Sequence, residues 1–383
     1  MKVALEVDRQ LVAIGERLDL LLNVSPANPE EAWANFSDGG YRDEPQFDYR
    51  PLGFDPDELK RRLYVLPVED VEDPTLGELL REKRLELDRS ITLLADRGTP
   101  RFLYGSLALF GDVEDTLLTD AEKLLSDVPP QEVRDLIEPE EFCDLARTEI
   151  DRYRERLPGL SLTVEVRDDV PGLMVAHDAL LVSRRLKIAR ARAQALIQHE
   201  VGTHVVTTVN GKLQPFGLFA IGLPGYEETQ EGLAVFAEYV SGGLDRARLR
   251  VLAARVVAVR RLLDGATFAQ VFAELHAERG FRPQTAWSVT MRVFRSGGYT
   301  KDAIYLRGLG EVVNYVHAGG TLESLFVGKI GLPQVPFVEE LLEKRILKSA
   351  QLRPRWMDLE GAAERVRRVQ SGIALTDLAD PDR

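Results

Sequence analysis

From the N-terminus to about residue 157, apolar positions recur at helical spacing in blocks separated by proline and aspartate. Asp55-Pro56-Asp57-Glu58 supplies an N-cap, a proline at the first helical position and an acid at the third, predicting a helix over 56–64. Thr75 through Glu78 reads as a capping box before a helix 76–96, stopped by Gly98 and Pro100. Pro139 opens another helix, with Phe142, Leu145, Ile150 and Tyr153 as its apolar face and Pro158-Gly159 as its end.

The period then changes. Leu160, Leu162, Val164 and Val166 alternate with other residues, as in a strand with one buried face. Residues 173–176 and the stretch through Leu186-Lys187-Ile188 read as further short strands, arranged as a meander. A helix over 190–209 follows, and the rest is mostly helical with loops at 211–226 and 295–299. The pattern predicts an α+β chain with a small sheet and many helices: a mostly helical N-terminal region, 1–157, and a catalytic domain, 158–383. A chain of 383 residues exceeds one ordinary core, which agrees with two parts.

Composition narrows the classes. With 44% hydrophobic and 29% charged residues the chain is globular in character. No stretch approaches the roughly 18 uncharged apolar residues of a membrane span. The first residues, MKVALEVDRQLVAIGERLDLLL, are broken by charges and lack the apolar core of a signal peptide, so the cytoplasm is the expected location. Cys143 is the single cysteine, fits a reducing compartment, and reads as a buried, inert thiol. A net charge of −13 argues against nucleic acid as a partner.

Two of the five histidines fall within six residues, in His199-Glu200-Val201-Gly202-Thr203-His204. A His-Glu pair with a second His one turn on is the zinc-peptidase signature, usually with two residues between Glu and His. Here there are three. On a regular α-helix, positions i and i+5 point about 140° apart, too far to share a metal. A π-type distortion would return both rings to one face, and Gly202 stands where it is needed. The third ligand should be a carboxylate or imidazole on a following element. GYEETQEGLAVFAEYV offers Glu227, Glu228, Glu231 and Glu238. Glu231 opens a helical run in which Gly232 and Ala234 allow close approach to the metal helix. Glu238, two turns on, is placed to orient a ligand histidine. Two His and one Glu with an open position suit a single catalytic Zn2+, whereas a four-cysteine structural site is impossible here. His-Glu pairs also occur without metal, and acids commonly solvate a helix face, so these residues alone leave both readings open.

HEVGTHVVTTVNGKLQPF and GLPGYEETQEGLAVFAEY together resemble the flavohemoglobin expression-modulating QEGLA-motif family. That family is in turn similar to the eukaryotic tyrosine carboxypeptidases that trim the C-terminal tyrosine of α-tubulin and carry the same H-E-x-x-x-H spacing. The similarity is best over 155–345, including RVFRSGGYTKDAIYLRGL (292–309), with FLYGS (102–106) as the clearest fragment upstream. The resemblance implies a zincin-like metallopeptidase domain with His199, His204 and Glu231 as ligands and Glu200 as general base.

It further implies a peptide or protein C-terminus as substrate, cleaved by water whose proton Glu200 accepts and passes to the leaving amine. The tetrahedral intermediate needs a second electrophile, for which Tyr305 is the first choice, ahead of Tyr299 and Tyr226. Arg292, Arg295 and Lys301 surround Ser296-Gly297-Gly298, and with Tyr299 they are candidates for binding a substrate carboxylate; a solvated loop paired with Asp302 is the plain alternative. His276 and His317 read as ordinary helix residues and His177 as a turn residue before a strand. Rival functions are a zinc endopeptidase or amidase, which would use the same metal residues, and a regulatory protein on a peptidase fold, against which the intact Glu200 speaks.

Overall fold

A computed structural model describes every residue except 132–134, 169, 171, 177 and 380–383. His177, expected in a turn, lies outside the described residues. The chain forms two compact units: Met1–Val128 with Arg250–Leu306, and Pro129–Leu249 with Arg307–Arg383. The divisions between them fall at 128/129, 249/250 and 306/307.

The described residues of the first unit form helices and loops, with no strand. Its spine is the helix Pro74–Ala95, packed by Lys2–Gly15, Pro56–Tyr64 and Arg101–Phe110. The cap at Asp55 is as expected, its carboxylate accepting from the N–H of Asp57 at 2.8 Å and of Glu58 at 3.2 Å. The spine helix starts earlier than 76. Asp73 accepts from Leu76 N–H at 2.9 Å and Pro74 takes the first helical position, so an Asp-Pro start displaces the expected Thr75 box. Phe36, Phe268, Phe272 and Trp287 stack edge to face and tilted, with centroids 4.9–5.3 Å apart, and form an aromatic core.

The second unit is α+β. The helix Pro139–Arg156 buries Phe142, Ile150 and Tyr153, but Leu145 is exposed, because it points away from the stripe these three define. The sheet is not a meander. Its order is Thr163–Arg167, Ala179–Ser183, Leu173–Ala176. Leu173–Ala176 pairs antiparallel with Ala179–Ser183, which leaves the other edge of that middle strand for Thr163–Arg167, in parallel. The burial of the first strand is weaker than its alternation suggests: Leu160 and Leu162 are buried ahead of it, and Val164 and Val166 are half-buried. Ile188–Ala189 pairs instead with Leu136–Ile137. The expected loop 211–226 contains a short helix, Leu218–Ile221.

Candidate metal centre

The element expected as one helix over 190–209 is three segments in register: α-helix Arg190–His199, π-helix Glu200–Val205 and α-helix Val206–Lys212. The Val206 N–H reaches back five residues to the Val201 carbonyl, the closure the motif spacing demanded. Thr203 Oγ1 donates to the Gln198 carbonyl at 3.1 Å, satisfying backbone at the start of the bulge. As a result the His199 and His204 rings stand 5.0 Å apart at 78°, on one side of the helix.

Gly202 serves this arrangement through space rather than through backbone freedom. Its φ is not in the left-handed region. A Cβ there would lie 2.6 Å from Gln198 Oε1 and 3.0 Å from Trp356 Cδ1. The C-terminal segment holds the same helix further along. Asn210 donates to the carbonyls of Phe326 and Leu352 and accepts from the N–H groups of Gln351 and Leu352, all within 2.7–3.0 Å.

The third candidate ligand, a carboxylate, comes from the helix Tyr226–Val240, which packs along the π segment. Glu231 Oε2 is 3.6 Å from His204 Nε2 and 3.9 Å from His199 Nε2. One ligand atom from each of His199, His204 and Glu231 can be chosen so that all lie within 4.8 Å of one another. Four-coordinate zinc with N and O ligands separates them by about 3.3 Å, so the set closes on such an ion by small side-chain movements. Glu200 Oε1 lies 4.0 Å from His199 Nε2, on the ligand side of the ring. His199 and Glu200 are buried, while the His204 and Glu231 side chains retain 19% and 16% exposure, which gives the site an open side.

Gly232 does not face the metal helix, as its position beside Glu231 suggested. A Cβ on it would meet the Gly308 carbonyl carbon at 2.1 Å, so it permits contact with the helix Ile304–His317. Glu238 does orient the histidine: His199 Nδ1 is 2.9 Å from Glu238 Oε1. Two residues not singled out from sequence complete this arrangement. Arg192 donates to Glu238 Oε2 at 2.8 Å, and Arg248 to Glu238 Oε1 at 3.1 Å. Burial raises the proton affinity of Glu238, but Arg248, Arg192 and His199 outweigh it and hold the carboxyl well below its usual range. Burial disfavours the imidazolium of His199, yet the Glu238 hydrogen bond and the charges of Glu200 and Glu238 move its pKa upward. Arg192 sits two turns before His199, a spacing that could have revealed it; Arg248 leaves no such signal. Thr207 Oγ1 donates to Gln230 Oε1 at 2.8 Å and ties the two site helices together.

Of the three tyrosines, Tyr226 belongs to the metal unit, at the start of the Glu231 helix, while Tyr299 and Tyr305 belong to the other unit with Arg292, Arg295 and Lys301. There Arg292 forms a two-pronged pair with Asp302, both bonds 2.6 Å. That pairing follows the plain alternative for this arginine. Arg295 is 3% exposed, donates to Ser25 Oγ at 3.2 Å and stacks over Tyr299 at 4.7 Å. The Tyr305 ring lies 4.7 Å from the Arg255 guanidinium and 6.0 Å from that of Arg292. Lys301 Nζ lies 5.6 Å over Phe110. His276 Nδ1 and His317 Nδ1 face the carbonyls of Phe281 and Gln370, as structural helix residues do.

An α+β unit in which a distorted helix presents two histidines and a glutamate to a neighbouring carboxylate defines a candidate single-metal centre. The chain belongs to the microtubule-associated tyrosine carboxypeptidase family, whose family model matches residues 34–373. No curated protein and no solved structure matches it. No helix among the described residues is long and apolar enough to cross a membrane.

Proposed function

We propose that this protein is a zinc-dependent carboxypeptidase of zincin-like architecture, acting in the cytoplasm on the C-terminal residues of peptides or proteins. The observation that carries this reading is the convergence of His199, His204 and Glu231 within 4.8 Å beside Glu200. Membership of a carboxypeptidase family supports the choice of substrate end. A zinc ion bound by the three ligands supplies Lewis acidity and makes water acidic near neutrality.

The chain's own residues do the rest. His199 presents Nε2 to the ion because its Nδ1 is engaged by Glu238. The Glu200 carboxylate accepts the proton of the attacking water and returns it to the leaving amine. Tyr305 is assigned the hydrogen bond to the developing oxyanion. Arg292, Arg295, Lys301 and Tyr299 are assigned to the substrate's terminal carboxylate. Support for Arg295 comes from its environment: it is buried with no carboxylate in ion-pair reach among the described residues, whereas Arg292 is already matched by Asp302. Burial and Arg292 lower its proton affinity, an effect that Asp302 partly offsets.

The test is mass spectrometry of matched free-acid and C-terminally amidated peptides after incubation with zinc-loaded enzyme. Free acids should lose one or a few residues, aromatic ends foremost, and amides should resist. Equal cleavage of both at internal bonds would make the protein an endopeptidase and remove the carboxylate assignment.

A further inference from the structure

Glu231 and Glu238 lie seven residues apart on one helix, and His199 lies between them. Its Nε2 is 3.9 Å from Glu231 and its Nδ1 is 2.9 Å from Glu238. An imidazole with a carboxylate at each nitrogen has two ways to place its proton, and only one of them leaves Nε2 able to bind metal. The two carboxylates are not equivalent. Glu238 is fully buried and receives Arg192 on Oε2 and Arg248 on Oε1, the same oxygen that faces His199. Arginine side chains are donors only, so both Glu238 oxygens act as acceptors toward them. Oε1 therefore accepts from His199 as well, which puts the histidine proton on Nδ1 and the lone pair on Nε2.

The two arginines approach from different directions. Arg192 shares the metal helix with His199, and Arg248 opens the helix Arg246–Leu263 that follows the glutamate helix. Asp245 accepts from the Arg248 backbone N–H at 2.8 Å and lies 3.9 Å from Arg192 Nε. Glu238 is thus held at both oxygens and cannot turn toward the metal to compete as a ligand.

We propose that Arg192 and Arg248 are positioning residues for the metal ligand His199, acting through Glu238 to fix its tautomer and the direction of Nε2. This rests on the metal-site reading above. Loss of such outer partners typically weakens metal binding about 10- to 100-fold. The experiment uses full-length Arg192→Gln and Arg248→Gln, with Arg192→Lys and Arg248→Lys as milder variants should either Gln form fail to fold. Two quantities are measured on each: zinc affinity by competition with a chromophoric chelator, and the His199 tautomer by 15N-histidine NMR of metal-free protein, assigned with His199→Gln.

The expected result is zinc binding weakened about 10- to 100-fold in the Gln variants and less in the Lys variants. At a pH high enough that the His199 ring is neutral, the Nε2 signal should move from the unprotonated position toward a mixture. Wild-type affinity together with an unchanged His199 tautomer in folded variants overturns the proposal while leaving the metal site intact. A wild-type protein that binds no zinc overturns the metal reading itself, and is recognised by that arm alone.

Discussion

Gly202→Ala separates two reasons for a glycine inside the metal helix. If the residue is there for backbone freedom, alanine is costly whatever surrounds it. Its φ is ordinary, however, so the structure ascribes the cost to space. On an otherwise regular helix, alanine in place of glycine stabilises by about 1 kcal/mol. Against this stands a new Cβ 2.6 Å from Gln198 Oε1 and 3.0 Å from Trp356 Cδ1. Gln198 and Trp356 are both fully buried, so neither moves away into solvent, and overpacking of this kind costs about 1–3 kcal/mol. The net expectation is a loss of about 1 kcal/mol, or about 2–4 °C in Tm.

The decisive comparison adds Gln198→Ala. That change removes the atom at 2.6 Å, and it also removes two buried amide atoms that have no hydrogen-bond partner, which offsets much of the packing it deletes. The pair should therefore couple by about 1 kcal/mol, the double variant lying closer to wild type than the sum of the singles. Urea denaturation in excess chelator is the assay, because bound metal would add its own stabilisation. Strictly additive losses would refute the spatial argument and restore the conformational one.

Elemental analysis should find one zinc per chain, and His199→Ala, His204→Ala or Glu231→Ala should each abolish it; a wild-type chain metal-free after zinc reconstitution would remove the site. Glu200→Gln should keep zinc and fold yet lose peptide hydrolysis by several orders of magnitude, and loss of metal as complete as in His199→Ala would make Glu200 a ligand instead. Gly232→Ala places a Cβ 2.1 Å from the Gly308 backbone, which cannot rotate aside, so it should cost about 3 kcal/mol or more by thermal melting; a Tm within a degree of wild type would show that this helix crossing yields easily.

What the sequence revealed of this site followed from local geometry. The spacing of His199 and His204 is incompatible with an α-helix and therefore demands the π turn that Glu200–Val205 forms. Glu231 and Glu238 are two turns apart, and both reach His199. Several of the misreadings share a different cause: they involve a partner remote in sequence. Gly202 answers to Trp356 as well as to nearby Gln198, and Gly232 to Gly308, and the contacts with Trp356 and Gly308 leave no trace near the glycine. That Arg250–Leu306 falls in one unit with Met1–Val128 is likewise a matter of contacts far apart in sequence. The strand order required knowing that Ala179–Ser183 sits in the middle, which alternation alone does not encode.

The hydrogen bonds that Asn210 makes to Gln351 and Leu352 set an order of events during synthesis. Both histidines are translated well before the segment that holds their helix in shape, and Trp356, which covers Gly202, emerges later still. These contacts can form only once residues 351–356 have been made, so a product terminated before them carries the motif without the segment that holds its helix.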